Sequence, residues 1–439
     1  MRGSGIAKGF GLLLAVGLGC NLEAQNAAAL SDTGVALRQK GDLLGALEAF
    51  RAALALDSGN ARLHSNFALT LHQTGQAEQA LASMQQAVSL DPSDATIRRN
   101  LGVLLLEARR FIEAEKELQN SLRLDPNQAV THHEFGNVLA AQGQFAKAAE
   151  HYERASVIDA GDYRYFAALG HMRIRQSMYA EAEPVLRGAA ALQPDAGEVR
   201  RDLGIALTQL GRLNEGLEEL QSAARMLPND VSTHYQLSRA LEKAGRRTEA
   251  FQTRQVAHRL NLEESNRKLS RIRNNNGVVL LQQAKFPEAA AEFAQANDLA
   301  PNDSVPIYNL GLAFLLSDRT DEAISAFRNC LGSAPYHANA LYYLGRALIR
   351  REDIEGAVVV LSRAVQLTPS DAALRNSLAV ALAKSRSVDR ATIEMRAAVA
   401  LEPANELFRE NLACLQKGGG CQLSLIVLRA NPTESKLAP

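Results

Sequence analysis

The chain has 439 residues, enough for two or three ordinary domains or for one long array of repeats. Its 48 basic and 48 acidic side chains cancel, which argues against a protein that binds nucleic acid through its overall charge. The absence of tryptophan and the abundance of Ala, Leu, Gln and Arg predict a mostly helical protein.

Residues 1–24 have the layout of an export signal. Two basic residues, Arg2 and Lys8, precede an apolar run from Gly9 to Gly19. This run is shorter than the roughly 20 residues that a membrane-spanning helix needs, so we expect a cleaved signal and not an anchor. Cleavage after Ala24 would leave Gln25 at the new N-terminus.

A second interpretation of this segment stays open. Gly19 and Cys20 resemble the lipobox of bacterial lipoproteins, in which the cysteine is acylated, although Gly17 stands where that family usually has leucine. Under this interpretation Cys20 is the lipidation site, and the protein would contact a membrane only through it. Either interpretation predicts an extracytoplasmic protein, located in a bacterial periplasm, secreted, or attached to the outer membrane as a lipoprotein.

A period of about 34 residues organises the chain from residue 27 to residue 403, with a single offset of five. Eight prolines lie on this period, and they are Pro92, Pro126, Pro194, Pro228, Pro301, Pro335, Pro369 and Pro403. Ser58, Ala160 and Leu262 occupy the remaining equivalent positions, which gives eleven repeats. A fixed period in this range indicates stacked repeats.

Each repeat is predicted to be a hairpin of two antiparallel helices. Most repeats have a glycine and an alanine at two fixed points and a large apolar residue at a third, as Gly102, Ala114 and Leu118 stand ahead of Pro126. The small residues let the helices approach closely, and the large residue fills the remaining space. Proline then ends the second helix because it cannot continue the hydrogen-bond ladder.

This pattern resembles the tetratricopeptide-repeat family. Leu101-Gly102, Ala114, Leu118 and Pro126 carry the resemblance in one repeat, and Leu344-Gly345, Ala357, Leu361 and Pro369 carry it in another. The resemblance implies an all-α fold, a right-handed superhelical solenoid whose concave face binds peptides or protein segments. It implies no enzymatic activity and no cofactor.

The domain organisation follows from the phase of the repeats. Seven repeats occupy residues 27–262 and four occupy residues 270–403, with a joint at 263–269 where the second helix is expected to run on. Residues 404–417 are predicted to form a capping helix, which a solenoid needs to cover its last apolar face. Residues 418–439 fit no repeat and are predicted to be a tail.

In the family, ligand-facing residues occupy places two, five, nine, twelve and thirteen of the first helix. We count places from the third residue after each proline position, so that Ala129 holds place one. The basic residues at these places are Arg38, Arg62, Arg99, Arg164, Arg175, Arg201, Arg239, Lys243, Arg271, Arg346, Arg350 and Lys384, against the acidic Glu107, Glu198 and Glu242. The same places carry His133, Asn137, His171, Tyr235, Asn274, Tyr308 and Tyr342.

These residues suggest a basic groove that binds an acidic, extended protein segment, with arginines gripping carboxylates. The alternative is that the charges are solvated and meet acidic side chains of the second helices. Polar residues at place six, such as Asn100, Glu134 and Asn309, could bond a peptide backbone or could instead join neighbouring repeats.

No sequence motif for catalysis, phosphate binding or metal binding stands out from the repeats. The stretch THHEFG, which holds His132, His133 and Glu134, resembles the start of a metal site, with His151 beyond it. Adjacent residues of a helix point in different directions, so we predict no metal there.

Two of the four cysteines suggest a disulfide. Cys414 and Cys421 are separated by a glycine-rich stretch and could be bridged in an oxidising compartment, or they could remain free thiols. Cys330 falls where other repeats have alanine or serine and is predicted to be a small core residue.

The sequence therefore predicts an exported scaffold that binds protein segments and is not an enzyme. Two alternatives remain: an outer-membrane lipoprotein that assists exopolysaccharide secretion, pilus assembly or envelope assembly, and a regulatory partner of a separate enzyme. Oligomeric state and partner identity do not follow from the sequence.

Overall fold

A computed structural model describes residues 25–417 and 423–425, and within them the chain is helical with no strand. The helices in chain order are α1 (25–39), α2 (Leu43–Leu56), α3 (Ala61–Gln73), α4 (Ala77–Leu90), α5 (Ala95–Glu107), α6 (Phe111–Leu124), α7 (Ala129–Ala141), α8 (Phe145–Ile158), α9 (Tyr163–Arg175), α10 (Tyr179–Leu192), α11 (Gly197–Gln209), α12 (Leu213–Met226), α13 (Val231–Lys243), α14 (Arg247–Gln282), α15 (Phe286–Leu299), α16 (Ser304–Leu316), α17 (Thr320–Ser333), α18 (Ala338–Arg350), α19 (Ile354–Leu367), α20 (Ala372–Lys384), α21 (Val388–Leu401) and α22 (Glu406–Gln416). The predicted all-α repeat fold is confirmed.

The chain forms two compact units, a first unit that ends at Ala257 and a second unit that begins at His258. The division falls inside α14. In each unit, consecutive helices form antiparallel hairpins that stack on their neighbours in chain order. Each unit buries its own apolar clusters, centred in the second unit on side chains such as Phe293, Phe327 and Leu361.

In most repeats place eight holds a glycine, which lies against the large residue sixteen positions later. A Cβ added to Gly136 would come 2.5 Å from Cε1 of Tyr152, and one added to Gly102 would come 2.6 Å from Cγ of Leu118. The repeat alanines, Ala114 and Ala148 among them, are fully buried beside these contacts. The predicted complementarity of small and large residues is therefore what lets the two helices of a hairpin touch.

The turns between repeats follow from the short polar sequences around each proline. In the stretch DPSD, α4 ends at Leu90, and Asp94 then caps α5 by accepting hydrogen bonds from the amides of Thr96 and Ile97 at 2.8 and 3.1 Å. A carboxylate at this position satisfies amides that have no partner inside the helix. Proline thus follows the end of one helix, and the second aspartate begins the next.

In several repeats place four holds a side chain that ties the turn to the helix that follows it. Nε of Arg200 donates to the carbonyl oxygen of Pro194 at 2.8 Å, while its Nη1 meets Oε2 of Glu219 at 2.9 Å. His132 occupies the same place: its Nε2 lies 3.1 Å from the carbonyl oxygen of Pro126, and its Nδ1 lies 3.0 Å from Nδ1 of His151. In both repeats the side chain therefore links the turn to the second helix of its own repeat.

The five-residue offset is absorbed by α14, a single helix of 36 residues. The second helix of the seventh repeat runs on, as expected, and continues directly into the first helix of the eighth. Leu262 replaces the proline, and no glycine follows it as Gly59 and Gly161 follow the other two residues that replace proline, so no residue there favours the end of the helix. Residues 263–269, predicted as a joint, are one stretch of helix.

The last described helix, α22, lies in the segment predicted to cap the array, and it buries Phe408 and Leu415. Beyond it, Ser424 is held by Asn411: the Ser424 amide donates to Oδ1 at 2.9 Å, and Nδ2 donates to the Ser424 carbonyl at 2.8 Å. Part of the predicted tail thus packs on the second unit. No helix among the described residues is both long enough and apolar enough to span a membrane.

Candidate functional site

Arg62 and Arg99, two of the predicted groove residues, differ in their contacts with the rest of the chain. Arg62 on α3 is exposed, whereas Arg99 on α5 is half-buried and donates from Nη2 to Oδ1 of Asn100 at 3.1 Å. Asn100 donates in turn to Oγ of Ser65 in the preceding repeat, at 3.4 Å. The place-six amide therefore joins two repeats here, as one of the two interpretations of that series predicts.

His133 and Asn137 on α7 belong to a cluster of polar and aromatic groups. The His133 ring lies between the rings of Tyr152 and Tyr165, at centroid distances of 5.5 and 5.4 Å. Asn137 accepts a hydrogen bond from the Tyr152 hydroxyl at 2.7 Å and donates to Oε2 of Glu134 at 3.0 Å. Burial raises the pKa of Glu134, but the hydrogen bonds from His133 and Asn137 outweigh it, so its pKa lies below the usual value.

His171 and Arg201 converge on a buried carboxylate. Nδ1 of His171 lies 2.7 Å from Oδ2 of Asp202, and Nε of Arg201 donates to Oδ1 of the same residue at 3.0 Å. Nη1 of Arg201 reaches Oδ2 of Asp230 at 3.4 Å. Burial lowers the pKa of Arg201, but these two carboxylates outweigh it and the pKa is raised. The charge of Arg201 is therefore already balanced within the chain.

Three side chains on α13, Tyr235, Arg239 and Lys243, remain open to solvent. The Tyr235 ring is 49 % exposed, and the Arg239 guanidinium lies 6.0 Å from its centroid. Nζ of Lys243 donates to Oε1 of Gln209 on α11 at 2.9 Å. Within residues 25–417 and 423–425, neither cation has a carboxylate within ion-pair distance, in contrast to Arg201.

A small, shallow depression lies beside these cations. Its walls come from α11, α12 and α13, and its lining residues are Ile205, Thr208, Gln209, Leu220, Gln236, Arg239, Ala240 and Lys243. Apolar side chains, amides and two cations line it together, a combination that suits an extended chain with acidic side chains. Arg175 on α9 is also exposed, with its guanidinium 4.7 Å from the centroid of the Phe145 ring.

In the second unit, Asn274 on α14 takes part in a contact between repeats. Its Oδ1 accepts a hydrogen bond from Nδ2 of Asn309, 35 residues later, at 2.9 Å. Asn411 donates to Asn376 with the same sequence separation, at 2.8 Å. These pairs join place six of one repeat to place five of the preceding one, so Asn274 has a structural bond at the position predicted to face a ligand.

Tyr308 requires a correction, because its ring is only 4 % exposed and does not face an open groove. It packs against the rings of Phe327, His337 and Tyr343, at centroid distances of 6.2, 4.8 and 6.2 Å. An aromatic ring at place five gains more from these contacts than from exposure to water. Tyr308 therefore belongs to the core of the second unit.

The three groove residues predicted on α18 are also engaged within the chain. Arg346 is buried, and its Nη1 donates to the hydroxyl of Tyr342 at 2.9 Å. Arg350 is exposed and pairs from Nη2 with Oδ1 of Asp318 at 2.7 Å, while its Nη1 donates to the Leu315 carbonyl at 3.1 Å. The basic character expected on α18 is thus partly used to hold α16 and α18 together.

Gln209 is a site residue that the sequence does not single out. It stands at place thirteen, where an uncharged amide does not by itself indicate a basic groove. Asp202 is one of the polar residues at place six, and the structure adds that it binds Arg201 and His171. An acidic residue next to a basic one in the same groove is the signal that could have indicated this pairing.

The histidines of THHEFG divide between two faces of α7. Nδ1 of His132 lies 3.0 Å from Nδ1 of His151, and the His151 ring packs on Phe135 at 4.3 Å, so these two histidines do meet. His133 instead faces Glu134, with Nδ1 and Oε1 3.5 Å apart. In the part of the chain that the structure describes, no three His, Cys, Asp or Glu side chains are grouped to hold a metal ion.

The cysteine and export predictions lie largely outside the described residues. Cys330 is buried with a free thiol, as expected of a core residue, and burial raises its pKa to about 11. Cys414 is disulfide-bonded. Its predicted partner Cys421 lies outside the described residues, as do Cys20 and the export segment 1–24, so the Cys414–Cys421 bridge and the lipidation site stay predictions.

Comparison with known families identifies the repeats. The family model for the tetratricopeptide repeat matches residues 37–101, 71–132, 173–241 and 314–381, which together make up more than half of the chain. No curated protein matches the chain significantly.

Several solved structures resemble parts of the chain. PilF of Pseudomonas aeruginosa is 19 % identical over 48 % of this chain and 96 % of its own, with a TM-score of 0.45. YrrB, described as a tetratricopeptide-repeat protein with an unusual peptide-binding site, is 21 % identical over 40 % of this chain and 91 % of its own, with a TM-score of 0.36. A repeat protein from Parabacteroides merdae is 15 % identical over 66 % of this chain and 99 % of its own, with a TM-score of 0.42.

Proposed function

The chain belongs to the tetratricopeptide-repeat family, and from that premise we propose that it is a scaffold that holds an acidic, extended protein segment on α11 and α13. Proteins of this family are generally protein-interaction scaffolds. The observation that supports this site is the pair of exposed cations, Arg239 and Lys243, beside a depression lined by amides and apolar groups.

The geometry of α13 suits an extended partner. Tyr235, Arg239 and Lys243 follow one another at intervals of four residues, so they lie in a row on one face of the helix. Arginine can grip a carboxylate with two parallel hydrogen bonds, lysine adds a mobile point charge, and the tyrosine ring offers a stacking surface. Gln209 and Gln236 border the same depression and can bond the partner's backbone.

The site can be tested by reversing its two cations. We expect Arg239→Glu combined with Lys243→Glu to weaken binding of a fluorescein-labelled decapeptide of alternating glutamate and alanine by about tenfold or more, since attraction becomes repulsion. Fluorescence anisotropy measures this binding. Raising the salt concentration from 50 to 500 mM should weaken binding to the wild-type chain as well, because salt screens exposed charges.

Arg154→Glu combined with Arg225→Glu is the matched control. Both arginines are exposed on second helices of the first unit and have no ion pair among the described residues, so this variant carries the same change in net charge away from the depression. It should bind as the wild-type chain does. Equal affinity for a peptide with glutamine in place of glutamate, or equal losses in the two variants, would argue against the site.

Export is a separate part of the proposal and rests on residues 1–24, whose basic start and apolar run are typical of export signals. If the chain is expressed in a bacterium, the mature protein should start at Gln25, or at an acylated Cys20 if it is a lipoprotein. Intact mass spectrometry of protein from the envelope fraction distinguishes these two outcomes. A chain that keeps this N-terminal segment and stays in the cytoplasm would contradict both.

A further inference from the structure

Helix α14 carries an apolar stripe that the second unit, to which it belongs, leaves exposed. Leu262, Leu269, Ile272 and Val279 are 53, 42, 56 and 51 % exposed, and all four lie in the second unit. The face of the same helix that packs into the second unit holds different residues, among them Ser270 and Leu281, which are buried.

Two residues of this stripe are exposed at places of the repeat that are buried in the following repeats. Ile272 and Val279 hold places three and ten of their repeat. The residues at these two places in the following repeats, such as Ala340, Leu374 and Ala347, are buried. In α14 the second helix of one repeat and the first helix of the next form one continuous helix, and the two places face solvent.

The spacing of the stripe is that of a coiled-coil seam. The residues at 262, 269 and 276 are seven apart, and those at 265, 272 and 279 are seven apart and offset by three. This alternation of three and four residues lets two helices pack along a common line. Four of the six positions are apolar, and the other two are the exposed Ser265 and Asn276.

We propose that this seam, residues 262–279 of α14, pairs in antiparallel fashion with the same seam of a second copy of the chain. With the twofold axis between residues 270 and 271, Leu262 faces Val279 of the second copy and Leu269 faces Ile272. The same register places Ser265 opposite Asn276. Apolar residues therefore meet only apolar residues, and polar residues meet only polar ones, along about 26 Å of helix.

The charges beside the seam favour the antiparallel orientation. Two charged residues lie beside the seam, Lys268 on one edge and Arg273 on the other. In the antiparallel register equivalent edges of the two helices meet, so Lys268 lies opposite Asn275 and Arg273 lies opposite Asn266 of the second copy. Parallel pairing would instead place Lys268 beside Arg273 of the second copy, where like charges repel.

Existing contacts leave both cations beside the seam. Arg273 pairs with Glu292 of α15 at 3.1 Å, and Lys268 pairs within α14 with Glu264 at 2.6 Å, where both side chains are exposed. Exposed pairs of the second kind contribute little energy and rearrange readily. A buried polar residue in the seam is a known means by which coiled coils fix their register. Here the twofold axis creates two such layers, each with Ser265 of one copy against Asn276 of the other.

Sedimentation equilibrium of the full chain tests the association. We expect the mass to rise with concentration from the 47.4 kDa of one chain to twice that value. Leu269→Glu combined with Ile272→Glu places four carboxylates around the twofold axis, and this variant should remain monomeric at every concentration. Both side chains are exposed in the single chain, so unchanged circular dichroism would show that the variant still folds.

Ile393→Glu is the matched control, because Ile393 lies on α21 in the same unit and is 63 % exposed. This variant should associate as the wild-type chain does. A wild-type chain that stays monomeric at all concentrations overturns the proposal. So does a dimer that the double variant leaves intact, since it would have to use another surface. Binding of an added amphipathic helix by the monomeric wild-type chain would assign the seam to a different partner.

Oxidative cross-linking tests the orientation. A mixture of Leu262→Cys and Val279→Cys chains should form disulfide-linked dimers well above the level that the wild-type cysteines give. Leu262→Cys alone should not, because antiparallel pairing holds the two copies of residue 262 about 26 Å apart along the helix. Cross-linking of Leu262→Cys with itself would indicate parallel pairing and overturn the register.

Discussion

At the scale of single residues, place eight controls how closely the two helices of a hairpin approach. In most repeats it holds a glycine, which leaves room for a side chain sixteen residues later, such as Phe50, Leu118 or Tyr152. The large side chain differs between repeats, but in each it fills the space beside the glycine. The charged groove residues behave differently, since their roles depend on which neighbours the fold brings near: Arg201 meets two carboxylates, whereas Arg239 meets none in the described chain.

Gly136→Ala tests the close approach. The added Cβ would lie 2.5 Å from Tyr152, whose hydroxyl is held by Asn137, so the ring cannot move without losing that bond. We expect the free energy of unfolding to fall by about 1–3 kcal/mol, the usual effect of overpacking. Faster amide hydrogen exchange in α7 and α8 would measure this fall.

Gly188→Ala is the comparison for this substitution. Gly188 lies within α10, and an added Cβ would meet nothing within 4 Å. Alanine should therefore leave exchange in α10 unchanged or slow it, because alanine favours the helix by up to about 1 kcal/mol. Equal protection of α7 and α8 in wild type and Gly136→Ala would show that the contact tolerates a methyl group.

The pair His132 and His151 should make stability depend on pH. Burial, together with the charge of His132, lowers the pKa of His151 to about 4. In the unfolded chain histidine titrates near 6.5, so above that pH both states are neutral at this site. Between about pH 6.5 and pH 4 the unfolded chain binds a proton at this residue that the folded chain does not. The free energy of unfolding must therefore fall as the pH is lowered through this range.

His151→Gln should reduce this pH dependence. The measurement is the difference in amide exchange of α7 and α8 between pH 7.5 and pH 5, corrected for the intrinsic rate. His258→Gln, which alters an exposed histidine of α14, should leave the difference as in wild type. The assignment to His151 would be wrong if both variants kept the wild-type difference.

At the scale of elements, the hairpin was predictable and the long helix only partly so. The alternation of glycine, alanine and proline fixes two helices and a turn in each repeat because each residue has a local steric reason. Without proline at 262, the sequence indicated that the second helix continues, but it did not show that residues 263–269 are helical throughout. Helix continuity there depends on the absence of any residue that stops the hydrogen-bond ladder.

The apolar stripe of α14 belongs to this scale as well. Leu269 and Ile272 fit the repeat pattern poorly, and in the sequence they fall in or beside the offset. Their spacing indicates a coiled-coil seam only because α14 is one continuous helix, since a heptad pattern needs an uninterrupted helix to form a seam.

At the scale of the whole molecule, each unit provides a surface of its own. The first unit presents exposed cations on α13, and the second unit presents the α14 seam. The ligand-facing places of the family predict one basic groove that runs along the first helices of all repeats. In the structure the second unit uses Arg346 and Arg350 in internal contacts and buries Tyr308, while Arg271 and Lys384 stay exposed.

The sequence by itself determined the all-α fold, the eleven repeats and the small core residues, because these depend on local sterics that recur in every repeat. Only the tertiary structure decided which charged residues stay exposed. Arg201 and Arg239 occupy equivalent kinds of position in the sequence, and their difference arises from Asp202 and Asp230 approaching one of them. The approach of Asp230 to Arg201 depends on a distance between two repeats, and a single sequence does not contain that distance. The exposure of Tyr235, Arg239 and Lys243, which the sequence also predicts to face a ligand, and that of the α14 seam therefore became evident only in the fold.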